Sequence, residues 1–96
     1  MLYVDYERLR RERSRAILQH TTQHNPLGEI ADDLKRFDDE LKRIRVEMEA
    51  TDDIETIIYY EKFLLGLPPI NTMLTHHVSE ATYYRRLAKV KKNISD

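Results

Sequence analysis

The sequence predicts an all-α protein in which a long helical hairpin or coiled-coil segment precedes several shorter C-terminal helices. Charged residues make up 34% of the 96 residues, and the chain contains only two Gly and three Pro. This balance is typical of long exposed helices rather than of a compact β domain. Apolar residues also recur three and four positions apart, which is the spacing of one helix face. We predict two segments, 1–51 and 52–96.

Composition excludes several classes of protein. The chain has no Cys, so disulfides, thiolate metal sites and thiol catalysis are excluded. No stretch has the apolar length that a bilayer span needs, and no secretory signal is visible. We therefore expect a cytoplasmic protein without membrane contact.

Charge is unevenly distributed along the chain, although the net charge is only −1. Residues 1–25 contain five Arg and three acidic residues, and residues 26–55 contain five basic and eleven acidic residues. Residues 56–96 contain six basic and three acidic residues. Such a chain can bind polyanions locally through its basic ends.

The first helix is predicted over residues 2–19, where Leu2, Tyr6 and Leu9 lie at near-helical spacing. Its many arginines are interpreted as a solvated face, with phosphate contact as the alternative. Residues 20–24 are poor helix formers and predict a linker with solvated His20 and His24.

The second helix has a clear predicted start, with Asn25 as N-cap and Pro26 in the first helical position. An apolar seam then alternates spacings of three and four for about three heptads. The seam consists of Leu27, Ile30, Leu34, Phe37, Leu41, Ile44 and Met48. It predicts an antiparallel hairpin with the first helix, a homodimeric coiled coil, or both.

The third helix is predicted to begin at a capping box formed by Asp52 and Glu55. Its many apolar residues predict a central position, and Gly66 is suited to the position just after its end. Pro69 then starts a short helix over residues 69–75. The residues predicted to face inward from this short helix are Ile70, Met73 and Leu74.

The last helix is predicted to begin at Glu80, with Ser79 as its N-cap. One face carries an apolar stripe at spacings of four, three and four: Tyr83, Leu87, Val90 and Ile94. The remainder of this helix is strongly basic. A short helix that starts with Pro, a tight turn and a basic helix together have the plan of a helix-turn-helix, whose last helix enters the major groove of DNA.

These residues also carry a family resemblance, which covers about residues 54–94. The run Val78-Ser79-x-x-Thr82-Tyr83-Tyr84-Arg85-x-Leu87 resembles the recognition-helix half of region-4-type sigma factors. It equally resembles the small phage late-gene activators of the RinA and ArpU type. The pair Tyr59-Tyr60 is similar to the tyrosine-rich helix that precedes the motif in those activators.

The first half of the motif departs from the family pattern. The usual large aliphatic residue two positions before Val78 is His76, and the usual small residue four positions earlier is Thr72. Alternatively, Leu74 supplies the aliphatic side chain and the turn is two residues longer.

The resemblance implies a small DNA-binding transcriptional regulator encoded by a phage or prophage. The residues it assigns to base contacts are Ser79, Glu80, Thr82, Tyr84 and Arg85. The residues expected to contact phosphates are Arg86, Lys89, Lys91 and Lys92. The expected partners are double-stranded DNA, a second copy of the chain, and RNA polymerase or another protein that meets the acidic helix. Both an activator and a repressor are compatible with these expectations.

No catalytic constellation is visible, so we expect a non-enzyme without cofactor or metal. His76 and His77 are the one candidate pair of metal ligands, but the side chains of adjacent residues on a helix point about 100° apart. The alternative is a non-enzymatic helical protein-interaction module, such as a phage inhibitor or assembly factor, that acts through the acidic coiled-coil segment. A phage packaging subunit that binds DNA is a third possibility. Burial of the basic side chains against the acidic helix would favour the interaction module.

Overall fold

The computed structural model describes residues 1–22 and 30–95. Five α-helices and one π-helical turn follow one another in this part of the chain. They are α1 (Leu2–Thr22), α2 (Ala31–Glu49), α3 (Ile54–Tyr59), the π turn (Tyr60–Leu64), α4 (Pro69–His76) and α5 (Glu80–Ile94). The described residues contain no strand, and the predicted all-α class is confirmed. None of their helices is both long and apolar enough for a bilayer span.

Helices α1 and α2 pack antiparallel. Tyr3 and Tyr6 near the start of α1 share a buried cluster with Ile44 and Met48 near the end of α2. Farther along the pair, the Nε atom of Arg13 lies 2.7 Å from Oδ1 of Asp38. The predicted seam therefore faces α1.

Burial along the seam is graded. Ile44 and Met48 are buried, whereas the earlier seam residues are half-buried: Ile30, Leu34, Phe37 and Leu41. Leu27 lies outside the described residues. The hairpin thus accounts for the seam, and a homodimer stays a prediction.

The predicted end of the first helix at residue 19 is wrong. Helix α1 continues to Thr22, and the predicted solvated His20 is only 8% exposed. Helix propensity is a weak preference that tertiary packing overrides, and His20 is packed rather than solvated. His24 and the cap predicted at Asn25 and Pro26 lie outside the described residues.

Helix α3 occupies the centre, as predicted. Ile58 and Tyr59 are fully buried, and Tyr59 lies in the same apolar cluster as the hairpin residues Tyr3 and Met48. Val90 of α5 joins that cluster. The predicted segments 1–51 and 52–96 therefore share one core, and their treatment as two domains stays a prediction.

The cap of α3 is displaced by one residue from the predicted position. Asp53, not Asp52, is the N-cap: its carboxylate accepts from the backbone N–H of Thr56 at 3.1 Å and from the Thr56 hydroxyl at 2.7 Å. Glu55 does not complete a capping box with Asp52, because its carboxylate pairs with Arg86 of α5. That tertiary partner was not visible in the local sequence pattern.

The link between α3 and α4 follows the predicted turn chemistry. The π turn ends at Leu64, and Gly66 adopts a φ of +70°, which glycine tolerates without strain. The N–H of Leu67 donates to the carbonyl of Glu61 at 2.8 Å. Pro69 then occupies the first helical position of α4.

The predicted inward orientation of two α4 residues is wrong. Ile70 is 52% exposed and Leu74 is 69% exposed. Thr72 is buried instead, Met73 packs against the cluster of Ile58, Tyr83 and Leu87, and His76 is half-buried. The helix is therefore turned so that its polar residues at 72 and 76 face the protein.

Alkaline pH is expected to destabilise the fold. Burial is the largest cause that raises the pKa of Tyr3, Tyr59 and Tyr83 above the ordinary value of 10.0. For Tyr59, the hydrogen bond to Glu7 adds to this effect. Because the folded state holds these protons more tightly, the contribution is complete below pH 10 and is lost as pH rises through the folded pKa values. We expect the urea midpoint to be lower at about pH 11 than at about pH 9, with the fall beginning near pH 10. A midpoint that stays constant over this range would contradict the assignment.

Candidate nucleic-acid interface

A three-residue turn, 77–79, joins α4 to α5. His77 adopts a left-handed conformation with φ 55°, and the N–H of Val78 donates to the carbonyl of Met73 at 3.0 Å, which closes α4. Val78 packs against the cluster of Ile58, Tyr83 and Leu87, as predicted. The alternative of a turn lengthened to Leu74 is wrong, because the turn is short and Leu74 is exposed.

The start of α5 is capped as predicted. The Ser79 oxygen accepts from the backbone N–H of Thr82 at 3.2 Å, and the Ser79 hydroxyl donates to the Thr82 hydroxyl at 3.0 Å. The stripe that fixes the helix is also confirmed: Tyr83, Leu87 and Val90 are buried, and Ile94 packs on the core. The cap and the stripe together determine which face of α5 is open.

The open face of α5 lies opposite this stripe. Ala81, Arg85, Ala88 and Lys92 follow one another at spacings of four, three and four, Lys89 lies beside them, and all five are exposed. We call these five residues the outer face of α5.

The described part of the protein does not neutralise the basic side chains of α5. In the described ranges 1–22 and 30–95, no acidic side chain forms an ion pair with Arg85, Lys89, Lys91 or Lys92. The acidic residues of α2 pair with arginines of α1 and of α2 itself, for example Asp38 with Arg13 and Glu47 with Arg43. Among the described residues, the outer face of α5 is therefore a positive surface without acidic partners.

The predicted base-contacting residues lie on different sides of the helix start. Ser79, Glu80 and Arg85 are exposed, whereas Thr82 is half-buried. The Tyr84 side chain is 49% exposed, and its ring meets the ring of Tyr83 edge-on at a centroid distance of 5.1 Å. Ser79 and Thr82 bond to each other in the cap, whereas Arg85 is exposed and forms no ion pair with the described acidic residues.

Arg86 differs from the other predicted phosphate contacts. Its Nη1 atom lies 3.2 Å from Oε2 of Glu55 in α3. Its Nε atom is buried without a hydrogen-bond partner among the described atoms. This ion pair directs Arg86 toward the core, and its phosphate contact stays a prediction.

Glu55 is also the centre of a joint between three helices. The Tyr3 hydroxyl of α1 donates to Oε1 of Glu55 at 3.0 Å. The side-chain amide of Asn93, near the end of α5, donates to the same hydroxyl oxygen at 2.7 Å. This joint was not predictable from local sequence patterns, because its members are separated by more than 30 residues.

A second polar cluster holds α4 in place. The Thr72 hydroxyl donates to Oε1 of Glu61 at 2.8 Å, and Nε2 of His76 lies 2.6 Å from Oε2 of Glu61. Thr72 and His76 thus share one carboxylate of the π turn, which holds this side of α4 against the protein.

Glu61→Ala is expected to destabilise the fold by about 1–3 kcal/mol, because it leaves the buried Thr72 hydroxyl and the His76 ring without their acceptor. Urea unfolding followed by circular dichroism measures the loss. Glu61→Gln is the matched control, since an amide keeps one acceptor for Thr72 and should lose less. Equal midpoints for the wild type and Glu61→Ala would show that the cluster contributes no stability.

Across the part of the chain that the structure covers, no three His, Asp or Glu side chains are grouped closely enough to hold a metal ion.

Comparisons of the chain with protein-family models, with curated proteins and with solved structures found no match.

Proposed function

We propose that the chain is a regulator of transcription that binds double-stranded DNA and presents α5 to the major groove. The observation that carries the proposal is the outer face of α5, on which Arg85, Lys89 and Lys92 are exposed without acidic partners among the described residues. A helix with a buried apolar stripe and an open basic face can enter a groove while its scaffold stays folded.

The proposed contacts with bases and with phosphates lie at different positions along α5. Residues at the start of a recognition helix reach base edges. Arg85 is therefore proposed to contact a guanine edge, with Glu80 and Thr82 near a cytosine amine and a thymine methyl. Lys89, Lys91 and Lys92 lie farther along and are proposed to contact phosphates.

The acidic helix α2 completes the proposed regulator. It lies in the segment with eleven acidic and five basic residues, so its outward face is repelled by DNA and is suited to a protein contact. RNA polymerase is the proposed partner for this face. Activation and repression are both compatible with such a contact.

A second candidate is a protein-interaction module that acts through α2 alone. The observation in its favour is Val46, which is 58% exposed on α2 beside Asp39, Arg43 and Glu47. Protein interfaces combine an apolar centre with a polar rim, and Val46 with its charged neighbours has this arrangement on a small scale. This candidate needs no DNA contact, and the same experiment distinguishes the two.

The test is a titration with duplex DNA from the genomic neighbourhood of the gene, with random duplex as competitor. For three to four cation–phosphate contacts, affinity should fall about 40- to 150-fold between about 50 and 200 mM salt. Salt-sensitive binding that prefers one duplex supports the regulator. Absence of binding at the lower salt concentration would contradict it and favour the interaction module.

A further inference from the structure

One flank of α5 is held at two points by polar side chains of α1 and α3. Near the middle of α5, Nη1 of Arg86 lies 3.2 Å from Oε2 of Glu55. Seven residues later, the side-chain amide of Asn93 donates to the Tyr3 hydroxyl at 2.7 Å, and that hydroxyl donates to Oε1 of Glu55 at 3.0 Å. Both contacts therefore lead to the two oxygens of one carboxylate. We call these four residues the Glu55 joint.

The spacing of the two contacts lets the joint fix the direction of α5. Residues seven positions apart lie on the same side of a helix, at about 10.5 Å from each other along its axis. One contact alone would leave the helix able to tilt about that point. Two contacts on one flank, at Arg86 and Asn93, define the direction of the helix axis.

The apolar stripe of α5 leaves this direction less well defined. Burial of apolar surface is a non-directional interaction, whereas a hydrogen bond depends on both distance and angle. The stripe therefore determines which side of α5 faces the core. The Glu55 joint determines the angle at which the helix lies on it.

Glu55 is attached to a rigid part of the fold. It lies in the first turn of α3, two residues after the Asp53 cap, and Ile58 and Tyr59 of the same helix are fully buried. Its side chain is 17% exposed, and among the described residues it is the acidic partner of Arg86. Loss of this carboxylate would leave a partly buried guanidinium without its counter-charge, and such a group turns toward water.

We propose that Glu55 is a positioning residue for DNA recognition, which orients α5 so that Arg85 reaches a base edge. Glu55 acts through Arg86 and Asn93 and does not itself touch DNA. The inference rests on the proposed function, because it assigns the sequence preference of the same helix to a residue outside it.

The two kinds of DNA contact differ in their tolerance of a tilted helix. A guanine edge is bound by two parallel hydrogen bonds from a planar guanidinium, so the contact of Arg85 requires a defined geometry. A lysine is a flexible point charge that binds phosphate from many directions. Loss of Glu55 should therefore lower the preference for one duplex and leave the sequence-independent affinity unchanged.

Titrations of the full-length Glu55→Ala chain with the preferred duplex and with random duplex test the proposal, under conditions in which circular dichroism shows native helicity. The ratio of the two affinities should fall at least about tenfold, which equals roughly 1.4 kcal/mol and lies within the discrimination of one base contact. Glu55→Gln keeps one acceptor oxygen and should lose less. A merely structural role would leave the ratio unchanged, because a smaller folded fraction weakens both affinities by the same factor.

Asp38→Ala is the matched control, since it removes a carboxylate that joins α1 to α2 through Arg13. It should leave the ratio unchanged, and an equal fall in this control would overturn the inference. If Glu55→Ala does not fold, Tyr3→Phe and Asn93→Ala each remove the contact at the end of α5 alone. Each of them should lower the same ratio.

The remaining outcomes separate this inference from the proposed function. A wild type that prefers one duplex, together with an unchanged ratio in the folded variants, overturns the inference and leaves the proposed function intact. Tighter binding of Glu55→Ala to random duplex, with a salt slope steeper by about 0.9, also overturns it, because Glu55 would then act by withholding Arg86 from phosphate. A wild type without preference between the duplexes overturns both.

Discussion

The double variant Arg85→Ala with Lys89→Ala is expected to lose DNA retention while it keeps its helicity. Both side chains are exposed on the outer face of α5 and make no ion pair with the acidic residues of the described chain. Their removal therefore leaves the folded contacts intact. A guanine contact by Arg85 contributes about 1–3 kcal/mol of discrimination, and the lost phosphate contact of Lys89 weakens binding to every sequence.

The salt dependence separates these two effects. Loss of Lys89 alone should reduce the slope of log affinity against log salt by about 0.9, whereas loss of Arg85 alone should mainly reduce the preference for the specific duplex. Lys35→Ala with Lys42→Ala is the matched control: it removes the same charge from exposed positions of α2. DNA retention that is unchanged in the Arg85 and Lys89 variant, or lost equally in the control, would remove the outer face of α5 from the proposed site.

The final helix was predictable because its signals are local. Ser79 caps residues that follow it directly, and the stripe from Tyr83 to Val90 lies within one helix. A helix period and a cap are properties of neighbouring residues. The same local rules predicted the exposed basic side chains. On a surface helix, the charged residues opposite the buried apolar stripe face solvent.

The contacts that the sequence did not predict depend on tertiary partners. Thr72 and His76 were not among the residues predicted to face inward, but Glu61, eleven and fifteen residues earlier, holds both of them. Ile70 and Leu74 were expected to face inward and are displaced to the surface by the same cluster. Arg86 was grouped with the open cations, although Glu55 binds it. Hydrophobic periodicity alone does not identify a partly buried carboxylate that pairs polar side chains.

Tyr59→Ala is expected to cost about 3–5 kcal/mol of folding free energy, the range for removing a large buried aromatic side chain. The Tyr59 side chain is fully buried, and its ring centroid lies 5.7 Å from that of Tyr3 and 5.6 Å from that of Phe63. It connects α1 to the centre of the fold. A domain of this size has a total stability of roughly 5–15 kcal/mol, so this variant should be close to unfolding at room temperature. Urea unfolding measures the loss, and a small loss would show that the cluster repacks around the cavity.

Two hydroxyl deletions distinguish packing from hydrogen bonding in this core. The Tyr59 hydroxyl donates to Glu7 at 2.8 Å, so Tyr59→Phe should cost about 1 kcal/mol. The Tyr83 hydroxyl is buried without a partner among the described atoms, and Tyr83→Phe should instead stabilise the fold by about 1 kcal/mol, because an unsatisfied polar group leaves the core. Both variants keep the aromatic ring, so packing is constant and the urea midpoints should move in opposite directions. Equal shifts would mean that the Tyr83 hydroxyl has an acceptor in solution, and the core of α5 would then be held by polar contacts as well as by its apolar stripe.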